Sequence, residues 1–180
     1  MTAANLIRNY FALFDLPESF DVDTADLAQR YRTLQQTVHP DRFASGTDQE
    51  RRLSMQQSAL INEAYRTLKQ PLTRARYLLS LHGMDLAAEE AKPMAASFLM
   101  QQMELRETLE GITSSADPVG RLLAFDKQLD QLVHSLISDI SQLFSGEADR
   151  NLDKISDHVR RLQFMTKLED EVRSLEEQLQ

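Results

Sequence analysis

The chain has 180 residues, no cysteine and a formal net charge of −8, with a pI near 5.0. No disulfide framework, thiolate metal site or cysteine nucleophile is open to it, and the acidic balance opposes nucleic acid as the main ligand. With 42% hydrophobic residues, five glycines and five prolines, the composition predicts a globular, almost wholly α-helical protein of one or two small domains. His39, His82, His134 and His158 lack the short spacing of metal ligands, so neither metal nor cofactor is expected. No apolar run is long enough to span a bilayer, and the first residues lead into an amphipathic aromatic helix rather than a signal peptide. A cytoplasmic protein is therefore expected.

In chain order, a short aromatic helix carries Tyr10, Phe11, Leu13 and Phe14 and ends at Leu16-Pro17-Glu18. Asp23-Thr24 then offer capping oxygens to a second helix, about Thr24 to Val38, on which Leu27, Tyr31, Leu34 and Val38 share a face. Pro40 disfavours helical geometry at His39 and has no N–H to continue the ladder, so His39-Pro40-Asp41 opens an exposed loop. Ser45-Gly46 break the chain, Thr47-Asp48 form a fresh cap, and a third helix follows from about Gln49 to Lys69. Leu53, Leu60, Ala64, Tyr65 and Leu68 are its predicted apolar face. Two antiparallel helices joined by a polar loop are the simplest outcome. In that loop Asp41 is an anion suited to a partner arginine, and His39 sits where the helix dipole favours a positive imidazole. From these residues alone two other readings stay open. His39 and Asp41 can merely cap the loop, or they can be the acid/base pair of a hydrolase, although no nucleophile motif or enclosed pocket accompanies them.

A His-Pro-Asp tripeptide by itself is a weak signal. With the aromatic helix and Tyr31 and Leu34 before it, Arg42-Phe43 after it and Ile61-Asn62-Glu63-Ala64-Tyr65 on the next helix, the first third of the chain resembles a J domain. The resemblance implies that His39, Pro40 and Asp41 contact a DnaK-type chaperone and trigger its ATP hydrolysis. It also implies that Arg32 on the outer side of the helix, Arg30 on its flank and Arg42 beyond the loop face that chaperone. Thr33, Gln35, Gln36 and Thr37 stand where J domains usually carry Lys or Arg, so docking is expected to be weak and salt-sensitive. The Gly/Phe-rich linker and Cys-rich zinc modules of general-purpose J proteins are missing, so the client must be bound elsewhere.

Beyond Lys69-Gln70, Pro71 to His82 reads as a helix ended by Gly83, Asp85 to Lys92 as an Ala/Glu-rich connector, and Pro93 as the start of a new helix. Three helical patterns follow, about Pro93–Glu110, Pro118–Phe144 and Glu147–Leu179. Asp117-Pro118 is a cap followed by proline at the first helical position. Leu122, Phe125, Leu129, Leu132, Leu136, Ile140 and Leu143 form one stripe, and Leu152, Ile155, Val159, Leu162, Met165, Leu168, Val172, Leu175 and Leu179 another. Short connections predict a three-helix bundle. On the helix after Pro93, Met94, Phe98, Leu105, Leu109 and Ile112 take one side while Leu99, Met100 and Met103 fall almost opposite. Glu104 and Glu107 rim this second stripe, a composition suited to recognising another protein. Phe164 points away from the Leu152-to-Leu162 stripe and is a candidate extension of the patch. Packing on the J domain and homodimerisation are the alternatives for Leu99, Met100 and Met103.

Over nearly its whole length the chain resembles the HscB family, the J-type co-chaperones of iron–sulfur cluster assembly. The resemblance rests on Phe43-Ala44-Ser45-Gly46, Tyr77-Leu78-Leu79-Ser80-Leu81-His82-Gly83, Phe98-Leu99-Met100 and Met103-Glu104-Leu105-Arg106-Glu107. It implies an all-α protein with a J domain over 1–83, a connector over 84–92 and a scaffold-binding three-helix bundle over 93–180. It further implies that the bundle binds the cluster scaffold IscU through Leu99, Met100, Met103, Glu104, Glu107 and Phe164, and that the J domain brings the scaffold to the chaperone HscA. The chain would then regulate a partner's ATPase without being an enzyme, as a monomer rather than a stable homodimer. Met103 stands where leucine is familiar, a mild change of volume, and Gly111 where a further acidic residue can stand. A J-domain adaptor for a different client and a self-associating helical protein remain the competing readings.

Overall fold

A computed structural model of the chain describes residues 9–39, 46–146 and 148–179, with the side chains at 149 and 150 left aside. The described residues form helices α1 (Tyr10–Leu13), α2 (Thr24–Val38), α3 (Asp48–Lys69), α4 (Pro71–Leu81), α5 (Leu86–Glu90), α6 (Ala96–Ile112), α7 (Pro118–Ser145) and α8 (Ala148–Leu179), and no strand. They fall into two compact units, Met1–Leu78 and Leu79–Gln180.

Local chemistry explains most helix ends. The Asp23 carboxylate accepts the amides of Ala25 and Asp26 at the start of α2. Thr47 and Glu50 form a reciprocal capping box on α3, satisfying two amides that no intrahelical partner can reach. Asp117 accepts from the Gly120 amide at 3.0 Å, with Pro118 as the first helical residue. A Cβ at residue 120 would collide with that carboxylate, so a larger residue there must displace the Asp117 side chain. The α4 helix closes through Gly83 at φ +79, with the Met84 amide returning to the Leu79 carbonyl. The start of α6 departs from expectation: it lies at Ala96, not Pro93. The Lys92 carbonyl, which a helix beginning at Pro93 would use for its first bond, is taken by Arg160 Nη2 at 2.5 Å.

In the first unit α2 and α3 run antiparallel. Tyr31 meets Asn62 and Tyr65, Gln35 meets Ser58 and Asn62, and Val38 meets Ser54, so advancing on one helix retreats on the other. Phe11, Phe14, Phe20, Leu27, Ile61, Ala64, Leu68, Ala75 and Leu78 are buried. The expected apolar face of α3 needs correction. Leu53 and Leu60 are 51% and 37% exposed, and the buried face runs through Ser54, Ile61, Ala64 and Leu68. Burial of Ile61, Ala64 and Leu68 sets this orientation, and Ser54 on the same face donates to the Val38 carbonyl at 2.6 Å. Arg74 is also buried, its Nη1 donating to the Leu68 carbonyl at 2.6 Å with the guanidinium over the Phe20 ring.

In the second unit α7 and α8 are antiparallel over most of their length, and α6 packs on α7. Phe98 meets Phe164 and Arg161, and Arg106 meets Glu171, so α6 runs parallel to α8 and completes an up-down-up bundle. Its core comprises Phe98, Leu105, Leu109 and Ile112 from α6, Leu122, Phe125, Leu129, Val133 and Ile140 from α7, and Ile155 to Val172 at helical spacing on α8. Each fully buried residue of this size contributes about 1.5–3 kcal/mol through removal from water. One seam between α7 and α8 is acidic. Burial raises the Glu169 carboxyl above its ordinary value, and Asp130, Asp170 and Asp126 push it the same way while Arg173 opposes. A carboxyl raised by folding holds its proton more tightly in the folded chain, so stability falls as pH climbs from the ordinary value through the raised one. Glu169→Gln is therefore expected to raise Tm at neutral pH and to give no gain near pH 4, where Glu is largely protonated in both states. Thermal denaturation at the two pH values checks this, and an equal gain at both would exclude charge as the cause.

Candidate functional site

The end of α2 is prepared by its neighbour. Ser54, 2% exposed, bonds the Val38 carbonyl, one of those a helix C-terminus leaves without an intrahelical partner. His39 follows as the capping residue, exposed, with φ −58 and ψ 128 leading the chain out of the helix. Pro40, Asp41 and Arg42 lie outside the described residues. Arg32 is exposed two turns before His39, on the same side of α2, and no hydrogen bond or ion pair holds it among the described residues. Gln35 does not share that outer side, because its amide bridges to Asn62 and Ser58 in the hairpin seam.

Arg30 is differently placed. The short α1 ends with Asp15 in the left-handed region, φ 52, and the Leu16 amide returning to the Phe11 carbonyl. Arg30 Nη1 donates to the Phe14 and Asp15 carbonyls at 3.0 and 2.9 Å, and Nε donates to Asp26 Oδ2 at 2.9 Å. The guanidinium thus caps α1 from α2. No sequence pattern announces this contact, because the two ends are fifteen residues apart and meet only once the helices pack.

The second surface is on α6. Leu99, Met100 and Met103 are 46%, 63% and 62% exposed, with Glu104 and Glu107 exposed beside them. They occupy the face opposite Phe98, Leu105, Leu109 and Ile112, which the bundle has already covered. Phe164 is half-buried on α8, edge-on to Phe98 with ring centroids 5.8 Å apart, and Arg106 lies over its face at 5.7 Å. Around it runs an open groove with Arg106, Arg160 and Lys167 along its sides. By helical register Arg106 lies between Phe164 and Leu99, so this aromatic shoulder borders the Leu99 edge of the stripe. Such a surface can hold a protein partner through adaptable apolar contacts rimmed by charge. Among the described residues no group of three or more His, Asp or Glu side chains is arranged to hold a metal ion, and no helix is long and apolar enough to cross a membrane.

Residues 94–173 match a family model described as the HscB C-terminal oligomerisation domain. A co-chaperone protein HscB homolog of Shewanella baltica (strain OS195) is 44% identical over 171 residues, covering 95% of this chain and 98% of the relative. The chain belongs to the HscB family of co-chaperones. Two HscB structures share its fold. The chaperone HscB from Vibrio cholerae has a TM-score of 0.86 at 41% identity, covering 96% of this chain and 99% of that one. Human co-chaperone protein HscB has a TM-score of 0.87 at 29% identity, covering 98% of this chain and 86% of that one. The all-α architecture expected from the sequence, a J domain followed by a three-helix bundle, is thus the HscB fold.

Within this HscB fold, Arg30 and Arg32 offer a direct comparison. Arg30→Ala removes the α1 cap and is expected to lower Tm, whereas Arg32→Ala is expected to leave it unchanged. Thermal denaturation followed by circular dichroism decides between them, and equal effects would contradict the contacts described here.

Proposed function

We propose that this chain binds the iron–sulfur cluster scaffold IscU through its C-terminal bundle, delivers it to the DnaK-type chaperone HscA and stimulates that chaperone's ATPase. It does so as a monomer in the cytoplasm, with hydrolysis performed by the chaperone and not by this chain. Residues 1–83 serve as the chaperone-facing domain, 84–92 as a connector and 93–180 as the scaffold-binding bundle.

The observation that carries this reading is the outward α6 stripe. Three large apolar side chains stand in water although the helix has a filled core face on its other side. A covering partner would remove Leu99, Met100 and Met103 from solvent, and Glu104 and Glu107 would fix its register by charge. Phe164, held by Phe98 and Arg106, adds a rigid aromatic edge. At the other surface, His39 and Arg32 present an imidazole and a cation on one side of α2, with Pro40, Asp41 and Arg42 continuing the chain. Arg30, already bonded to two carbonyls, offers only its remaining edge. Holding scaffold and chaperone on one chain converts their encounter into an intramolecular event at raised effective concentration.

Two variants test the halves separately. His39→Gln is expected to abolish stimulation of HscA while preserving helicity and IscU affinity, because an exposed capping residue contributes little to stability. Leu99→Ala with Met103→Ala is expected to weaken IscU binding about tenfold or more, at a loss of roughly 0.7 kcal/mol or more for each truncated contact. The double variant should leave J-domain stimulation without scaffold intact. Steady-state ATPase assays with HscA, with and without IscU, together with calorimetric titration of IscU, read both. Unchanged IscU affinity in the double variant would remove the stripe from the scaffold interface, and dissociation of a wild-type dimer by the same changes would assign it to self-association.

A further inference from the structure

The bundle carries a second unpartnered apolar feature, distant from the α6 stripe. Val119 and Leu123, one turn apart at the beginning of α7, are 54% and 62% exposed. They border an open groove whose floor is Leu122 and Val172 and whose far wall is Leu179 at the end of α8. The core does not need these side chains, since Leu122 and Phe125 already fill the inward face of this part of α7.

The chemistry around the groove limits what can cover it. Asp126 and Glu176 stand at its edge. Beyond them Asp130, Glu169 and Asp170 continue the acidic seam, and the cation there, Arg173, is paired with Asp170 at 3.4 Å. Burial holds Glu169 above its ordinary value and Asp130, Asp170 and Asp126 push it the same way, so an incoming cation offsets an existing repulsion. An acidic protein, a phosphate group or an anionic lipid surface would add to the repulsion. A second copy of this chain brings a net charge of −8 and fits poorly for the same reason. We propose that the groove between the start of α7 and the end of α8 is a docking site for a helical protein segment whose apolar side chains are flanked by lysine or arginine.

Apolar side chains of the segment rest on Leu122 and Val172 between the walls formed by Val119, Leu123 and Leu179, and its cations pair with Asp126 and Glu176. The helix register separates this site from the α6 surface. Phe164 and Glu176 are about 18 Å apart along α8 at 1.5 Å per residue. The two surfaces can therefore be occupied together, and the inference does not depend on what binds the α6 stripe.

The test uses the full isotopically labelled chain and a synthetic amphipathic peptide of about fifteen residues with leucines at i, i+3, i+4 and i+7 and lysines elsewhere. Amide chemical-shift changes are expected at Val119, Leu123, Val172 and Leu179. Leu123→Asp, which alters an exposed side chain and should fold normally, is expected to weaken binding about tenfold, as is Asp126→Lys. Leu99→Ala with Met103→Ala should leave the affinity as it is, and a peptide with glutamate in place of lysine should not bind. Shift changes centred on α6, or an affinity insensitive to Leu123→Asp, would overturn the proposal. So would an affinity lost in proportion to salt but indifferent to every apolar substitution, the mark of diffuse attraction to an acidic protein. Self-association of the unliganded chain that Leu123→Asp disrupts would overturn it in favour of a second copy.

Discussion

A helix in a three-helix bundle can bury one face, and α6 has apolar side chains for two. Phe98, Leu105, Leu109 and Ile112 take the inward positions and are nearly or fully removed from water. Leu99, Met100 and Met103 are left outside as a consequence of helical geometry. The same constraint recurs on α7, where Leu122 and Phe125 point inward and Val119 and Leu123 do not. Both surfaces singled out here follow from a surplus of apolar residues over the core's capacity. They differ in setting, since one is an outward helix stripe rimmed by Glu104 and Glu107 and the other is a groove edged by Asp126 and Glu176.

The J domain follows a different logic. Its hairpin seam is largely polar toward the loop end, where Tyr31, Gln35, Ser58 and Asn62 exchange hydrogen bonds before Ser54 closes the ladder on Val38. Hydrogen bonds demand a particular axial alignment, while apolar contacts tolerate sliding. The apolar contacts concentrate at the opposite end, around Phe11, Phe14, Leu68 and Leu78. One end of the hairpin thus supplies most of the burial and the other supplies alignment.

Local signals in the sequence were reliable where the physics is local. The caps at Asp23, Thr47 and Asp117 and the terminator at Gly83 each involve residues within a few positions of one another, and each was legible. The stripes of α6, α7 and α8 were legible for the same reason, since a long amphipathic helix repeats its message. What escaped depends on tertiary packing. Leu53 and Leu60 satisfied the periodic pattern on α3, yet the side that faces inward is the one carrying Ile61, Ala64 and Leu68, with Ser54 bonded to Val38 on it. Pro93 looked like a helix start until Arg160, 68 residues later than Lys92, claimed the carbonyl. Arg30 was read only as a chaperone-facing cation on the flank of α2, and its work at the end of α1 becomes visible only when both helices are in place. Of the residues proposed to face the scaffold, the exposed trio of α6 was readable from angular position. The half-buried setting of Phe164 between Phe98 and Arg106 was not.

The bond between Ser54 and Val38 makes α3 a gauge for the loop that begins at His39. A residue added to or removed from α3 between Ser54 and Asn62 would displace the anchor by about 1.5 Å along the helix and turn it by roughly 100°. The polar partners farther down the seam would stay where they are. The segment is therefore fixed in length as well as in composition, and the ends of α2 and α3 nearest the loop inherit their spacing from it.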